Sequence, residues 1–406
     1  MPMPIRPLRV LYCTDTYPPQ VNGVSVVTAL SAQGLSARGW RVGVIGPTYP
    51  TRQENPFGTE YLDVLDMHVT VSSTALPMYP EIRLAAPSWR KVRRAVSEFR
   101  PDLIHCATEF MIGRLGQRAA VEFHIPIVSS YHTDFSRYTV SYGVPWLKKP
   151  VAGYLTRFHG RSRRVYTPGS PARAELEAMG IRDVEVWGRG VDTDVFHPRH
   201  RSEVLRQAYG ADTAFLFLHV GRLAAEKGIE RLIEAFGLAR QALGTRREIH
   251  LVIAGAGPRE PALRQSAPPG VSFLGNLDRR TMLPQLYASA DAFLFSSHTE
   301  TLGLVILEAM ASELPVIAAP AGGVADHLRD GVNGIAYPPG DVRAMADAMV
   351  ALATDPDRRA ALADGARATA AALTWEMEFD RLDASYREVC VGTGSELPEL
   401  AEAGRV

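Results

Sequence analysis

The chain has 406 residues, 46% of them hydrophobic and 22% charged, and its formal net charge is zero. This length accommodates two domains of ordinary size, and the composition is that of a globular chain rather than a disordered or fibrous one. No apolar run reaches the ~20 residues that span a bilayer, and the first residues lack a signal-peptide pattern. We therefore expect neither a membrane-spanning nor a secreted protein.

Short β-branched runs alternate with amphipathic helical patterns along the chain. In the first half, the pattern predicts a helix at Ser25–Arg38 and strands at Leu8–Cys13, Arg41–Ile45, Leu103–His105 and Ile127–Tyr131. In the second half, it predicts helices at Ile229–Leu243, Val305–Ala311 and Val342–Ala353, and strands at Phe215–Val220, Ile249–Ala254, Val271–Leu274, Ala292–Phe295 and Val316–Ala318. This alternation is typical of parallel sheets, so the predicted fold class is α/β and doubly wound.

The pattern restarts near residue 215, which predicts two domains. We place them at 1–194 and 195–375, with a linker near Val191–Arg201 and a C-terminal helix, about 376–391, that packs back on the first domain. The cleft between two such domains is the natural place for a ligand.

Charge is unevenly spread although the total is zero. Residues 1–200 hold 24 Lys and Arg against 17 Asp and Glu, which leaves 20 against 27 for the remainder. The positive charge clusters at Trp89–Arg100 and between Trp146 and Arg164. Basic amphipathic stretches with tryptophan bind anionic membranes, but they also occur as ordinary solvated helix faces, and the sequence leaves both interpretations open. No nucleic-acid partner is expected.

Cysteine usage bears on the compartment. Cys13, Cys106 and Cys390 are odd in number and far apart, which indicates a reducing environment rather than a disulfide framework or a structural metal site. We predict a cytoplasmic protein, placed on the inner face of the cell membrane if the basic half does contact lipid.

Two glutamates frame the predicted start of a helix. Glu300 ends a polar loop, Gly303 opens the helix, and Glu308 lies inside it. A helix start attracts phosphate through its free N–H groups, whereas carboxylates accept hydrogen bonds from hydroxyl groups. A ligand with phosphate in the middle and hydroxyl groups on both sides is a nucleotide sugar, so the motif predicts a site for one.

A second loop supplies positive charge. Gly221 and Arg222 follow the strand that ends at Val220, and Lys227 precedes the helix that begins near Ile229. An arginine fork and a lysine beside a helix start can hold a diphosphate. Such a pair alone usually lies in a solvated loop without a ligand. The nearby glutamate pair is the reason to interpret it as a diphosphate site.

Two motifs in the first half follow predicted strands. Asn22 and Gly23 open the first helix, where glycine lets a backbone approach a ligand and asparagine tolerates a positive φ. The segment could be only a turn with a cap, but its place after the first strand favours a ligand. Tyr131-His132-Thr133-Asp134 follows the strand segment Ile127–Ser130, so it points at the cleft, although a lone histidine is more often structural than catalytic.

Two other motifs are set aside. Asp192-Thr193-Asp194 lacks further ligands for a hard cation, so a turn or capping role is expected. Gly255-Ala256-Gly257-Pro258 resembles a dinucleotide fingerprint, but the third glycine is absent and Asp278 lies past its strand.

Together these residues resemble glycosyltransferase family 4, whose members are retaining enzymes of the GT-B fold, with two Rossmann-like doubly wound domains facing a central cleft. The resemblance runs from Gly23 through Gly221-Arg222, Lys227-Gly228 and the glutamate pair to Gly322-Gly323-Val324. The segments Tyr131–Phe135 and Tyr79–Arg83 are most similar to bacterial mannosyltransferases and glucosyltransferases of glycolipid synthesis.

The resemblance implies a role for each residue. The first domain takes the acceptor and the second takes the donor. The implied catalytic residues are His132, Arg222, Lys227 and Glu300. The implied donor-binding residues are Gly23, Gly221, Arg222, Lys227, Gly275, Asn276, Glu300, Gly303, Leu304, Val305 and Glu308. The implied acceptor-side residues are Asp15, Tyr131, His132 and Asp134.

Within this scheme, Arg222 and Lys227 bind the donor diphosphate, Glu308 the ribose and Glu300 the hexose. Gly303 and Leu304 present N–H groups to hexose or phosphate, and His132 lies near the anomeric carbon. Relatives often have two adjacent glycines in the N-terminal loop, and here the first is Asn22. The base of the donor is expected to meet backbone groups around Leu274-Gly275-Asn276.

The implied reaction moves a hexose from GDP-mannose or a UDP-hexose to a hydroxyl of a lipid or glycan. It proceeds by same-face substitution and uses no metal or other cofactor. Glu300 and Glu308 are therefore not an acid–base couple of the glycosidase kind. Two alternatives are a nucleotide-sugar epimerase of the same fold and a non-catalytic nucleotide-sugar binder.

Overall fold

A computed structural model describes residues 6–20, 22–49, 60–76, 79–132, 146, 148–188, 190–211, 213–297, 300 and 303–392. Within these ranges the chain forms two separate parallel sheets and one small antiparallel hairpin. The predicted α/β, doubly wound fold is confirmed. No helix of the described ranges is both long enough and apolar enough to cross a membrane.

The first sheet has the strand order β3-β2-β1-β6-β7-β8-β9 and is parallel throughout. Its strands and the β4–β5 hairpin are β1 (Arg9–Cys13), β2 (Arg41–Pro47), β3 (Met67–Val71), β4 (Ser73–Leu76), β5 (Tyr79–Ala85), β6 (Leu103–Cys106), β7 (Ile127–Ser130), β8 (Arg164–Thr167) and β9 (Val184–Val186). The helices of this part are α1 (Gly23–Ala37), α2 (Glu60–Asp63), α3 (Trp89–Phe99), α4 (Met111–Glu122), α5 (Lys148–His159) and α6 (Ser170–Ala178).

The second sheet has the order β12-β11-β10-β13-β14-β15 and is also parallel. Its strands are β10 (Phe215–Val220), β11 (Ile249–Ala254), β12 (Val271–Gly275), β13 (Ala292–Phe295), β14 (Val316–Ala318) and β15 (Gly334–Ala336). The helices that follow the first sheet are α7 (Glu203–Ala208), α8 (Ile229–Leu243), α9 (Glu260–Ser266), α10 (Met282–Ser289), α11 (Leu304–Ala311), α12 (Val342–Thr354), α13 (Pro356–Ala371) and α14 (Trp375–Val391).

Apolar clusters lie on both faces of each sheet, as a parallel sheet requires. In the second domain, β10 and α8 have the limits that the sequence predicts. The sequence analysis missed β3, the β4–β5 hairpin, β8, β9 and β15. Polar residues interrupt β3, β4, β5, β8 and β9, and β15 has only three residues, so these strands lack the apolar run that identifies the central strands.

The last helix, α14, returns to the first sheet. Trp375, Phe379, Leu382 and Tyr386 belong to the same buried cluster as residues of β1 and α1. The indole N–H of Trp187 donates to the carbonyl of Glu378 at 2.8 Å. These contacts place the end of the chain on the domain where it begins.

Polar contacts also fix α14 inside the first domain. The Tyr386 hydroxyl is hydrogen-bonded to the Tyr12 hydroxyl at 3.1 Å and contacts Nδ1 of His105. All three side chains are buried, and Nε2 of His105 is 2.7 Å from the hydroxyl of Ser130. Burial lowers the pKa of His105 to about 3, so its ring is neutral and needs these partners.

We expect Tyr386→Phe to lower the free energy of unfolding by about 1–3 kcal/mol, because the buried ring nitrogen of His105 loses its partner. Urea unfolding followed by tryptophan fluorescence measures the change. Met377→Leu is the control, since Met377 is on the same helix and 53% exposed. Equal unfolding free energies for the wild type and Tyr386→Phe would contradict this account of how α14 is held.

Candidate active site

The charged loops of the second domain meet at the carboxyl end of its sheet. Strands β10 and β13 are neighbours, so the loops that follow them lie side by side. Lys227 comes from the first loop and Glu300 from the second, and Nζ of Lys227 donates to Oε2 of Glu300 at 2.6 Å. Each side chain is 19% exposed. The structure thus brings together two of the predicted catalytic residues, 73 positions apart in sequence.

The backbone of Glu300 is fixed by the glycines at 322 and 323. The N–H of Gly323 donates to the carbonyl of Glu300 at 2.8 Å. Gly322 has φ +60°, and a Cβ there would overlap the same carbonyl oxygen. The N–H of Gly303 points at the carboxylate of Glu300, 3.4 Å from Oε1. The Gly322-Gly323 motif therefore serves to hold Glu300.

The loop that carries Arg222 rests on a second glycine segment. A Cβ at Gly255 would overlap the carbonyl of Gly221, and one at Gly257 would overlap that of Leu223. These glycines permit two loops to touch, which accounts for the apparent dinucleotide fingerprint. Asp278, the residue in the position of a ribose acid, instead accepts hydrogen bonds from the backbone of Arg280 and Thr281 at the start of α10.

Two helices begin at glycines in the left-handed conformation beside these loops. Gly228, with φ +65°, precedes α8, and Gly303, with φ +70°, precedes α11. The hydroxyl of Ser296 donates to the carbonyl of Lys227 at 2.8 Å, which ties the first loop to the end of β13. Leu304 and Val305 form the first turn of α11, and Leu304 packs against the apolar cluster of the first domain.

Arg222 has a partner that the sequence analysis missed. Its guanidinium contacts the carboxylate of Glu226, whose side chain is 5% exposed, whereas that of Arg222 is 37% exposed. The sequence did contain a signal for this pair, because Glu226 lies four positions after Arg222 and Arg and Glu at this spacing often pair. Glu226 orients the arginine and leaves its outer face toward solvent.

Glu308 is the most enclosed charged group of the site. Its side chain is 1% exposed and contacts the guanidinium of Arg279, while the Tyr287 hydroxyl donates to Oε2 at 3.0 Å. Burial raises the pKa of Glu308, and Arg279 acts against that rise. Neither Arg279 nor Tyr287 was a candidate from sequence. The assignment of Glu308 to a ribose stays a prediction.

Gly275 and Asn276 lie at the end of β12, the edge strand. The carbonyl of Gly275 accepts from the N–H of Gly255 at 2.7 Å, and Gly275 has φ +68°. Asn276 is exposed. Both stand on the same carboxyl edge as the charged loops, two strands away from β10.

Tyr131 and His132 follow β7 at the carboxyl edge of the first sheet. Tyr131 is buried, with its ring nearly perpendicular to that of His159 at 5.8 Å, and its hydroxyl donates to Glu175 at 3.3 Å. Desolvation, assisted by His159, lowers the pKa of His132 to about 4. His132 is therefore a neutral imidazole at pH 7. Asp134, the other acceptor-side candidate here, lies outside the described residues.

Asp15 is engaged by α4. Its carboxylate accepts from the hydroxyl of Thr108 at 2.7 Å and from the N–H of Ile112 at 3.1 Å. Burial raises its pKa, and these hydrogen bonds oppose the rise. Neighbouring Glu109 and His159 are buried and 3.5 Å apart, a pair that no sequence motif indicated.

The N-terminal loop contains the helix cap that the sequence allowed as one interpretation. Asn22 is extended, with φ −153°, and its side chain accepts from the N–H of Ser25 as the cap of α1. The positive φ that asparagine tolerates is therefore not used. Gly23 is the first residue of α1, and no atom of another residue lies within 4 Å of a Cβ built there. Open space at Gly23 is compatible with its predicted approach to a ligand.

Asp192 has the turn role expected of it. Its Oδ1 accepts from the N–H groups of Asp194 and Val195, each at 3.0 Å. Among the described residues, no three His, Cys, Asp or Glu side chains are grouped so that they could hold a metal ion.

Two doubly wound parallel domains, with charged loops at the carboxyl ends of the strands, give the chain the GT-B fold. The solved structure of HepE from Anabaena in complex with UDP-glucose has this fold. It matches with a TM-score of 0.76 at 22% identity, over 94% of this chain and 100% of that one.

Sequence comparison gives the family. Residues 21–195 match Glycosyltransferase Family 4, and residues 214–355 match Glycosyl transferases group 1. A GDP-mannose-dependent alpha-mannosyltransferase of Mycobacterium tuberculosis is 33% identical over 94% of this chain and 97% of its own length. A GDP-mannose-dependent alpha-mannosyltransferase of Corynebacterium glutamicum is 31% identical over 95% of this chain and 90% of its own length. The chain belongs to glycosyltransferase family 4.

We expect Gly322→Ala to impair donor binding without touching a charged group, because the added Cβ displaces the carbonyl of Glu300. A loss of about tenfold in affinity for a nucleotide sugar corresponds to 1.4 kcal/mol. Isothermal titration calorimetry measures it. Gly237→Ala is the matched control, since Gly237 lies within α8 with no neighbour near its Cβ. Equal losses of affinity in the two variants would show that Gly322 does not position Glu300 for donor binding.

Proposed function

We propose that this protein is a retaining hexosyltransferase that moves mannose from GDP-mannose, or a hexose from a UDP-hexose, to a hydroxyl of a lipid or glycan. The observation that carries the proposal is the Lys227–Glu300 pair between two glycine-started helices. The preference for GDP-mannose is supported by the names of the relatives that are 33% and 31% identical.

The donor diphosphate is assigned to Arg222 and Lys227. Both lie in the loop between β10 and α8, and Lys227 contacts Glu300, which lies just before the start of α11. Helix starts offer free N–H groups and a partial positive charge to a phosphate. Negative charge grows on the diphosphate as the anomeric bond breaks. Groups fixed in advance toward that charge lower the barrier, because they need no reorganisation during the reaction.

Glu300 and Glu308 do different work in this proposal. Glu300 is partly exposed and is assigned to the hexose hydroxyls, whereas Glu308 is buried and is assigned to the ribose. Both lie in the donor-binding domain and one of them is assigned to the nucleotide, so the two-carboxylate mechanism of glycosidases is not part of the proposal. Substitution then occurs on one face of the sugar, and the leaving phosphate takes the acceptor proton.

The first domain is assigned to the acceptor. His132, a neutral imidazole, can accept or donate a hydrogen bond near the anomeric carbon without adding charge. A lipid acceptor is supported by Phe110 and Met111, which are 53% and 52% exposed at the start of α4, next to Asp15. Exposed apolar side chains can insert at a lipid surface, so peripheral contact with the inner face of the membrane is part of the proposal.

The basic helix α3 contributes less free charge than its composition indicates. Arg93 pairs with Glu122 at 2.5 Å and Arg94 with Glu98 at 2.7 Å. Co-sedimentation with anionic liposomes at low and high salt measures the membrane attraction that comes from the unpaired positive charge. Salt screens the attraction between exposed charges, so this part of the binding should fall at high salt.

Lys227→Met should lower kcat for hexose transfer by about 10²–10³, because one preorganised cation at the departing diphosphate is lost. The assay uses GDP-mannose and UDP-glucose with a panel of glycolipid and glycan acceptors. Arg343→Met, which removes a 75% exposed cation from α12 of the same domain, should leave kcat unchanged. Transfer at the wild-type rate by Lys227→Met would remove the electrostatic basis of the proposal.

Transfer should persist in excess chelator, and the product should keep the anomeric configuration of the donor, because cationic side chains and helix starts supply the charge assigned to a metal in other enzymes. Activity with and without EDTA, together with NMR of the product, tests both points. Activity lost to EDTA and restored by Mn²⁺ would contradict metal independence. Donor consumption without any acceptor would instead support an epimerase.

A further inference from the structure

The carboxylate of Glu308 is shielded from water. It is on α11, and its side chain is 1% exposed. A buried carboxylate without a counterion is costly, and it takes up a proton instead. The charge state of Glu308 therefore depends on the groups that touch it.

Arg279 is placed to be that counterion. It lies in the turn between β12 and α10, which Asp278 fixes by accepting from the N–H groups of Arg280 and Thr281 at 3.0 and 2.8 Å. Its guanidinium contacts Oε1 of Glu308 and lies 5.4 Å from the centre of the Phe196 ring. Arg279 is thus held by a turn, a ring and a carboxylate.

The Glu308 carboxylate keeps lone pairs that its two partners do not use. An ionised carboxylate has about four lone-pair sites, and here one partner is seen on each oxygen, Arg279 and Tyr287. Arg279 is the more exposed partner, with its side chain 27% exposed against 1% for Glu308. The guanidinium is therefore the part of this pair that lies nearer to solvent.

We propose that Arg279 is a positioning residue for donor binding, which keeps Glu308 ionised so that its remaining lone pairs accept hydrogen bonds from the ribose hydroxyls of the nucleotide. The inference rests on the proposed function, because it takes the ribose assignment of Glu308 as given. It adds a residue from outside the glutamate motif to the nucleotide site.

The groups around Glu308 give the expected pH dependence. Arg279 comes from the β12–α10 turn and Tyr287 from α10, while Arg367 of α13 reaches the carbonyl of Ala311 at the end of the same helix. Burial raises the pKa of Glu308, and Arg279 is the largest opposing influence. Without Arg279 that pKa rises further, so the acceptor form of Glu308 is lost at low pH and regained as pH increases.

The test measures affinity for GDP, UDP and their 2′-deoxy forms by calorimetry between pH 6 and 9. In Arg279→Met, we expect affinity for the ribonucleotide to fall by about tenfold or more at pH 6.5 and to recover toward pH 9. Its preference for ribose over 2′-deoxyribose should fall in parallel at pH 6.5. Arg279→Lys should restore the wild-type pH profile, and Glu308→Gln should bind weakly at every pH.

Arg280→Met is the matched control, since it removes the neighbouring exposed cation, and it should bind as the wild type does. Arg279→Gln gives the same test if the methionine variant does not fold. Affinity in Arg279→Met that equals or exceeds the wild type, with no change in pH profile, overturns the inference while leaving the proposed function intact. Absence of nucleotide binding by the wild type and Arg280→Met overturns both.

Discussion

The ion pair between Lys227 and Glu300 is the interaction on which the rest of the site depends. It joins the loops after two neighbouring strands, at 2.6 Å, with both side chains mostly shielded from water. Shielding strengthens the attraction, because the local dielectric is lower than that of water. The pair also defines the distance between the cation assigned to phosphate and the carboxylate assigned to sugar.

The surrounding glycines make sense as supports of this pair. Gly323 donates to the carbonyl of Glu300, and Gly322 has no room for a side chain there. Gly255 and Gly257 play the same part for the loop of Arg222. Close contact between backbones thus holds in place the side chains that carry charge, which is how a site keeps its geometry before a ligand arrives.

Much of this arrangement could be predicted from the sequence. The parts that could not are contacts between elements that are distant in the sequence. Glu300, Lys227 and the starts of α8 and α11 stand in local patterns, so strand ends and glycines reveal them. Arg279 and Tyr287 meet Glu308 only because α10 and the turn before it pack on α11. Their sequence neighbours carry no sign of that contact.

Prediction of the local backbone conformation was limited in a similar way. Asn22 tolerates a positive φ and can also cap a helix, and the hydrogen bond from the N–H of Ser25 selects the extended, capping conformation. The strand β8 was missed because Arg164, its first residue, belongs to a basic stretch that resembles a helix face. In each case a contact formed by folding decided between local conformations that the sequence allowed.

The most direct test of the central claim is a thermal-shift panel with GDP, UDP, ADP and their hexose conjugates. If the second domain holds a sugar–diphosphate–nucleoside, one nucleoside diphosphate and its hexose conjugate should raise the melting temperature. A ligand at about 100 times its dissociation constant stabilises by about 2.7 kcal/mol. A melting temperature unchanged by every member of the panel, at millimolar concentration, would contradict the account.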